Sequence, residues 1–246
     1  MKLYVVGLGP GDLSQATGQA IEALEQCQVI AGYTVYIDLI RERFGHKKLI
    51  STPMKQEVER CRLALEEAQK GRTVAMVCSG DAGVYGMAGL IYEVAQEYEP
   101  VEIEIVAGIT AACSGAAVLG APLIHDFAVI SLSDLLTPWE RIEQRLACAA
   151  KADFVICLYN PSSIKRHDYL QKACDIVLKH KAAGTVCGIA KNIGRDGEEG
   201  MVLTLDELRN TPVDMFSTVY IGNSTTREMG GRMVTARGYR IGEENE

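Results

Sequence analysis

The chain has 246 residues, enough for one large domain or two small ones, and 48% are hydrophobic against 23% charged, which excludes wholesale disorder. A formal net charge of −7 excludes a protein that coats nucleic acid through a basic surface. No secretory leader is legible, because the apolar start at 3–6 runs straight into Gly7-Leu8-Gly9-Pro10-Gly11-Asp12, so a cytoplasmic location is expected.

In chain order, 3–6 reads as a buried strand, and Ser14 as the cap of a helix that reaches about Cys27. A second short strand is expected over 28–31. Helical periodicity over 57–70 puts Val58, Cys61, Leu65 and Ala68 on one stripe, which Gly71 ends. A strongly apolar strand follows at 73–78, then a turn at 79–83 and a helix from about 85 to 98. A strand at 102–106 and a helix at 110–119 close the first half. Strands with unalternating apolar runs, separated by helices, predict a parallel sheet covered on both faces. The stretch 105–124 has no charge for twenty residues, which is membrane-spanning length. Its Gly108, Gly115, Gly120 and Pro122, with Thr110 and Ser114, predict instead a strand, a turn and a small-residue helix packed on a sheet, and no membrane is expected as a partner.

The second half restarts after Pro122. Strands are expected at 127–131 and 153–158 with a helix at 139–149 between them, Thr137 capping it and Pro138 at its first position. A helix at 165–180 and strands at 185–190, 201–205 and 218–221 follow, spaced closely enough for hairpins. The pattern predicts two α/β lobes, 1–121 and 122–246, joined near 120–126, with a loose charged tail at 242–246. Eight cysteines form no C-x-x-C pair and most lie in apolar runs, so they are expected to be free and buried.

Three glycine turns carry the functional signal. The first, Gly7 to Asp12, joins a strand to a helix, where a backbone can approach a ligand closely. It departs from the dinucleotide pattern G-x-G-x-x-G, because Asp12 takes the sixth position and Pro10 removes a donor. The second is Ser79-Gly80-Asp81-Ala82-Gly83-Val84-Tyr85-Gly86. The third is Val106-Ala107-Gly108-Ile109-Thr110-Ala111. Three such loops at the ends of neighbouring parallel strands point to one small ligand with polar ends.

Together these loops resemble the tetrapyrrole (corrin/porphyrin) methylases, whose usual patterns are G-x-G-P-G-D, G-D-x-x-x-Y-G and V-P-G-[IV]-[TS]-A. Ala107 stands where the last pattern has proline, and the resemblance runs from Leu3 to about Tyr239. It implies the α/β two-lobe tetrapyrrole methylase (class III SAM methyltransferase) fold, with a mostly parallel N-terminal sheet and a mixed C-terminal one. It also implies S-adenosyl-L-methionine (SAM) as cofactor, S-adenosyl-L-homocysteine as its product, a tetrapyrrole substrate in a cleft between the lobes, and a homodimer. Two further segments resemble the branch that methylates C17 of precorrin-3B or cobalt-factor III and contracts the ring in cobalamin (vitamin B12) biosynthesis, rather than relatives that methylate C11 or C20. They are Ile130-Ser131-Leu132-Ser133-Asp134-Leu135-Leu136-Thr137-Pro138-Trp139-Glu140, and Leu158-Tyr159-Asn160-Pro161-Ser162-Ser163 with Arg166 after it.

By position, the resemblance assigns Pro10, Ser79, Gly80, Asp81, Val84, Thr110, Ala111, Tyr159, Asn160, Ala190 and Asn192 to the cofactor. Asp81 reads equally as a turn former, and Asn160, preceding a proline, is expected to be extended. Methyl transfer from a sulfonium asks chiefly for alignment and a dry pocket, so no catalytic dyad is expected. Ring contraction needs proton movement, for which His125 and Asp134 lead, followed by Asp126, His167 and Tyr33; His46 and His180 read as surface residues. Ser131, Ser133, Arg166 and Lys191 are candidates for substrate binding. A carboxylate-rich substrate on a protein of net charge −7 needs local cations. Lys165 with Arg166, Lys191 with Arg195, and Arg227 with Arg232 and Arg237 are the available groups. No resident metal site is expected.

Overall fold

The computed structural model describes residues 1–163 and 167–239 and divides into two compact units between Ala111 and Ala112. Lys165, Arg166 and the tail at 242–246 lie outside the described residues.

The first unit alternates strand and helix: β1 (Lys2–Gly7), a 3-10 turn (Leu13–Gln15), α1 (Gly18–Gln26), β2 (Val29–Tyr33), α2 (Thr34–Phe44), β3 (Lys48–Thr52), α3 (Glu57–Gln69), β4 (Thr73–Cys78), α4 (Ala88–Ala95) and β5 (Glu102–Val106). The five strands form one wholly parallel sheet in the order β3-β2-β4-β1-β5. Side chains alternate between its faces, and both faces are covered. Leu3 and Val5 pack with Cys61, Leu65 and Ile91 on the α3–α4 side. Tyr4 and Val6 pack with Leu24, Ile37, Ile40 and Phe44 on the α1–α2 side. That double burial is why β1 and β4 read as continuous apolar runs, each buried Val or Leu contributing about 1.5–3 kcal/mol.

Several expectations are corrected here. Ser14 does not cap the first long helix. The Asp12 carboxylate accepts from the Ser14 amide at 2.6 Å to cap the 3-10 turn, and Thr17 Oγ1 accepts from the Ala20 amide at 3.1 Å to cap α1. The helix expected from 85 begins only at Ala88, because Tyr85 sits at φ 54° inside a turn closed by the Ala88 amide on the Ala82 carbonyl. Both α2 and β3 escaped the sequence reading. β3 is an edge strand with only Thr52 buried, so it lacks an apolar run. It is fastened to α3 by Glu67, whose buried carboxylate meets Lys48, Lys70 and Arg72.

α5 (Ala111–Leu119) starts at the division and leads into the second unit: β6 (Gly120–Ala121), β7 (Phe127–Ser131), α6 (Trp139–Lys151), β8 (Val155–Tyr159), α7 (Tyr169–Val177), β9 (Val186–Lys191), β10 (Glu199–Thr204), α8 (Leu205–Asn210), β11 (Ser217–Ile221), β12 (Thr226–Met229) and β13 (Arg232–Thr235). The main sheet is mixed, in the order β10-β9-β11-β8-β7, with only β7 and β8 parallel. A small sheet, β12-β13-β6, stands beside it. Ile142, Leu146, Leu170, Val177, Leu205 and Leu208 cover one face of the main sheet. α5 covers the other, at close range: a Cβ on Gly115 would lie 2.5 Å from the Tyr220 hydroxyl and 3.1 Å from Ala190 Cβ. The uncharged stretch 105–124 is therefore the end of β5, a turn, α5 and β6. Among the described residues no helix is long and apolar enough to cross a membrane.

Two local expectations fail in this unit. α6 is capped by Pro138, in extended geometry, with no side-chain cap from Thr137. α7 begins at Tyr169, later than the periodicity predicts. All eight cysteines are free, six of them buried, and burial pushes the Cys78 thiol up to about 11 and Cys61 up to about 12.

Candidate active site

In the first unit the ends of β4, β1 and β5 stand side by side, and the three glycine turns leave from them. They are held to one another by backbone. The Leu8 amide donates to the Cys78 carbonyl at 2.8 Å, and Gly9 and Gly80 exchange both hydrogen bonds, at 3.0 and 2.7 Å. Gly9 and Gly80 reach this pairing at φ 80° and 67°. A Cβ on Gly7 would lie 2.6 Å from the Gly80 carbonyl oxygen and 2.7 Å from the Gly108 nitrogen. One on Gly108 would lie 2.6 Å from the Gly7 oxygen and still closer to Gly80. Gly7 and Gly108 leave no room for a side chain, whereas Gly80 has room for one and is fixed instead by its φ of 67°.

Asp81 completes the knot. Its Oδ1 accepts from the Gly83 and Val84 amides at 2.8 and 3.2 Å, and its Oδ2 accepts from Gly108 at 2.9 Å. The carboxylate is thus both turn former and latch between the second and third loops. Pro10 and Gly80 are buried, Ser79, Thr110 and Ala111 are half-buried, and Val84 is exposed, as are Tyr85 and Ile109. The three loops contain no Lys, Arg or His, and two acids, Asp12 and Asp81, stand among them. That edge suits a cationic or zwitterionic ligand with an apolar body, and it opposes a pyrophosphate.

The second unit gathers its candidates at the matching edge of its main sheet. Ser131 pairs with Tyr159 at the ends of β7 and β8, and Lys191 pairs with Ser217 where β9 ends and β11 begins. The Asn160 amide donates to Ser131 Oγ at 2.9 Å, and Ser131 Oγ also accepts from the Ser133 amide at 3.2 Å. The Tyr159 hydroxyl accepts from the Ala112 amide at 2.6 Å, while the buried Tyr220 hydroxyl donates to the Ala112 carbonyl at 2.9 Å. Asp134 accepts from the Tyr169 hydroxyl at 2.7 Å, and that bond, with burial, pushes the Tyr169 hydroxyl above its usual range. Ala190 is buried under α5, and Asn192, at φ 50°, donates to the Gly197 carbonyl at 3.3 Å.

Asn160 is not extended. It sits at φ 52°, in the left-handed region that asparagine tolerates better than most residues, and the turn at Asn160-Pro161 brings its amide to Ser131. His125 is not brought to this edge. It precedes β7, beyond the strand's first residue Phe127, which is itself about 13 Å from Ser131 by strand rise. There it is exposed and its Nδ1 accepts from the Asp126 amide at 2.9 Å, a local turn contact. Tyr33 stacks edge-on against Tyr36 in the first unit, and His167, His46 and His180 are exposed.

The candidate cations divide as well. Lys191 is paired with Asp214 at 3.0 Å. Arg227, Arg232 and Arg237 each donate to backbone carbonyls, of Ser224, Val118 and Ile124 respectively, so they fasten the small sheet and the end of α5. Arg166, a substrate candidate, lies outside the described residues. Among the described residues no group of three His, Cys, Asp or Glu side chains is placed to hold a metal. Sequence reasoning missed the mutual dependence of Gly7, Gly80 and Gly108, although a glycine at the end of each of three strands was a usable signal. It also missed Tyr220, for which no local signal exists.

Comparison with known proteins agrees with this geometry. The family described as Tetrapyrrole (Corrin/Porphyrin) Methylases matches residues 2–209. A protein of Salmonella typhimurium named probable cobalt-factor III C(17)-methyltransferase is 48% identical over 97% of this chain and 100% of its own length. One of Methanocaldococcus jannaschii with the same name is 43% identical over 96% of this chain and 97% of its own. The crystal structure of the methyltransferase CobJ superposes with a TM-score of 0.89 at 36% identity, covering 96% of this chain and 99% of that one. By family match and by near full-length relatives, the chain belongs to the tetrapyrrole methylases.

Proposed function

We propose that this chain methylates C17 of a corrin precursor, precorrin-3B or cobalt-factor III, with contraction of the ring, and that SAM is the methyl donor. The observation that carries the reading is the 48% identity that runs through the whole length of the Salmonella relative. The absence of Lys, Arg and His from the three loops supports the cofactor assignment, because such loops fit a sulfonium-bearing amino acid with an adenosine body. A structure of uroporphyrin-III C-methyl transferase complexed with S-adenyl homocysteine shares the fold, with a TM-score of 0.69.

When bound, SAM supplies an electrophilic methyl group, and the chain's task is to place and shield. Backbone of the knotted loops, at Pro10, Ser79, Gly80, Thr110 and Ala111, would receive the polar ends. Val84 supplies apolar wall, and Asp81 acts by holding the loops together. Tyr159, Asn160, Ala190 and Asn192 would line the second unit's contribution. Rigid loops place a reacting methyl at little entropic cost, which is a large share of what such a transfer needs. Ser131 and Ser133 offer hydroxyls to substrate carboxylates. Asp134, whose Oδ2 accepts from the Tyr169 hydroxyl, is kept as the acid–base candidate for contraction; His125, at the far end of β7, is not carried forward. A cytoplasmic homodimer is part of the reading, and sedimentation at micromolar concentration checks the dimer.

The deciding experiment is an oxygen-free incubation of methyl-labelled SAM with cobalt-factor III and, separately, with precorrin-3B, followed by NMR of the products. Label at C17 of a contracted ring is the expected result. Label at C11 or C20 would replace the branch assignment, and absence of label with both candidate substrates would overturn the reading.

A further inference from the structure

The second unit contains a cation that no other group in the site explains. The tight loop between β9 and β10 is fixed from within: the Arg195 amide donates to the Asn192 carbonyl at 2.9 Å, the Glu198 amide donates to the Arg195 carbonyl at 3.1 Å, and Glu198 Oε2 accepts from the Gly194 amide at 2.7 Å. The loop is also tied to the segment before β11, because the Asn192 amide donates to the Phe216 carbonyl at 3.1 Å. These bonds set the Arg195 guanidinium over the Phe216 ring, 5.4 Å from its centre. Phe216 is 47% exposed and Met215 beside it 54%.

Charge distinguishes Arg195 from its neighbours. Lys191 is balanced by Asp214, and that carboxylate also accepts from the Phe216 amide at 2.9 Å. Glu198 is turned inward to the loop. Among the described residues no carboxylate forms an ion pair with Arg195. A guanidinium held over an aromatic ring is positioned by that contact, and its fork of donors can take a carboxylate in two-pronged fashion. The apolar surface around it, Phe216 and Met215, would lie against something flat and apolar. A ligand that joins an apolar plane to peripheral carboxylates satisfies both parts.

We propose that Arg195, stacked on Phe216 at the edge of the second sheet, anchors a peripheral carboxylate of the tetrapyrrole, whose apolar body rests on Phe216 and Met215. The inference rests on the tetrapyrrole reading above and adds a specificity-determining subsite to it. A carboxylate is also present on SAM, so the test separates the two sources.

R195M, R195K and F216L are prepared in the full chain. Substrate KM and kcat are measured with cobalt-factor III, and S-adenosyl-L-homocysteine affinity by calorimetry without tetrapyrrole. R195M is expected to raise the tetrapyrrole KM about tenfold or more, the scale of a lost charge-assisted bond, with kcat and homocysteine-product affinity within about twofold. R195K should recover part of that loss and F216L should show a smaller one, because each keeps half of the stacked arrangement. A tetrapyrrole KM unchanged in R195M would overturn the proposal while leaving the methylase reading intact. Weakened S-adenosyl-L-homocysteine binding with an unchanged tetrapyrrole KM would assign Arg195 to the cofactor instead. A wild-type protein that neither binds nor methylates tetrapyrrole would overturn the reading, and this inference with it.

Discussion

The two sheet edges that carry the candidate residues are built in opposite ways. The first is built of backbone against backbone: Gly7 and Gly108 abut each other and the Gly80 carbonyl, and the Asp81 carboxylate is taken up by amides. The second is built of side chains, with Asn160 on Ser131, Tyr159 on Ala112, Tyr169 on Asp134 and Arg195 over Phe216. A backbone site tolerates almost no change at its contact points but is indifferent to the ligand's fine chemistry. A side-chain site can be retuned one group at a time. On the proposed reading both edges serve the cofactor, and the second also carries the side chains put forward for the substrate.

The largest effect expected is at the knot. Gly108→Ala forces a Cβ into the Gly80 carbonyl, and should destabilise the protein by about 3 kcal/mol or more while abolishing S-adenosyl-L-homocysteine binding, read by urea denaturation and calorimetry. Asp81→Ala removes three amide bonds and should cost about 2 kcal/mol, with cofactor affinity down about tenfold. If it lowers affinity without touching stability, Asp81 contacts the ligand and the latch account of this edge is wrong. Tyr159→Phe leaves the Ala112 amide without its acceptor and should cost about 1.5 kcal/mol in the same denaturation assay. Asn160→Ala should cost about 1 kcal/mol, because alanine resists the left-handed backbone, whereas Asn160→Gly should restore the loss but not the Ser131 contact. A matching loss of substrate affinity in both variants would sharpen the assignment of Ser131 and Asn160 to one unit.

Glu67, paired with Lys48 at the start of β3 and so at the other end of the first sheet from the glycine turns, provides the control. Lys70 first, then Lys48 and Arg72, hold its carboxyl at about 2 in the fold, against an ordinary value of 4.5. Its contribution to stability is therefore complete above about pH 4.5 and fades as pH falls toward 2. Thermal melts across pH 2–6 should show a shallower acid-side decline in Glu67→Gln than in wild type, with cofactor affinity at neutral pH unchanged.

The first unit was legible largely because parallel strands buried on both faces must be apolar throughout, and because glycine is the residue that permits backbone to touch backbone. Its omissions follow from the same logic. β3 is an edge strand held by charges on Glu67, so no apolar run announced it. The second edge was legible only as a set of residues, not as an arrangement. That Asn160 turns left-handed, that Lys191 is neutralised by Asp214, and that His125 falls at the wrong end of β7 all depend on pairing between strands far apart in sequence. The proline after Asn160 gave a sound local preference that the turn at the end of β8 overrode.

The glycine knot also restricts how such a chain can drift over generations. Because Gly7 and Gly108 are pressed against each other and against the Gly80 carbonyl, a substitution at either cannot be rescued by a change at the others: none has a side chain left to shrink. Neutral wandering is closed off there in all three loops at once. The second edge has more latitude, because an arginine, a serine or a phenylalanine there can be exchanged singly without breaking a backbone contact.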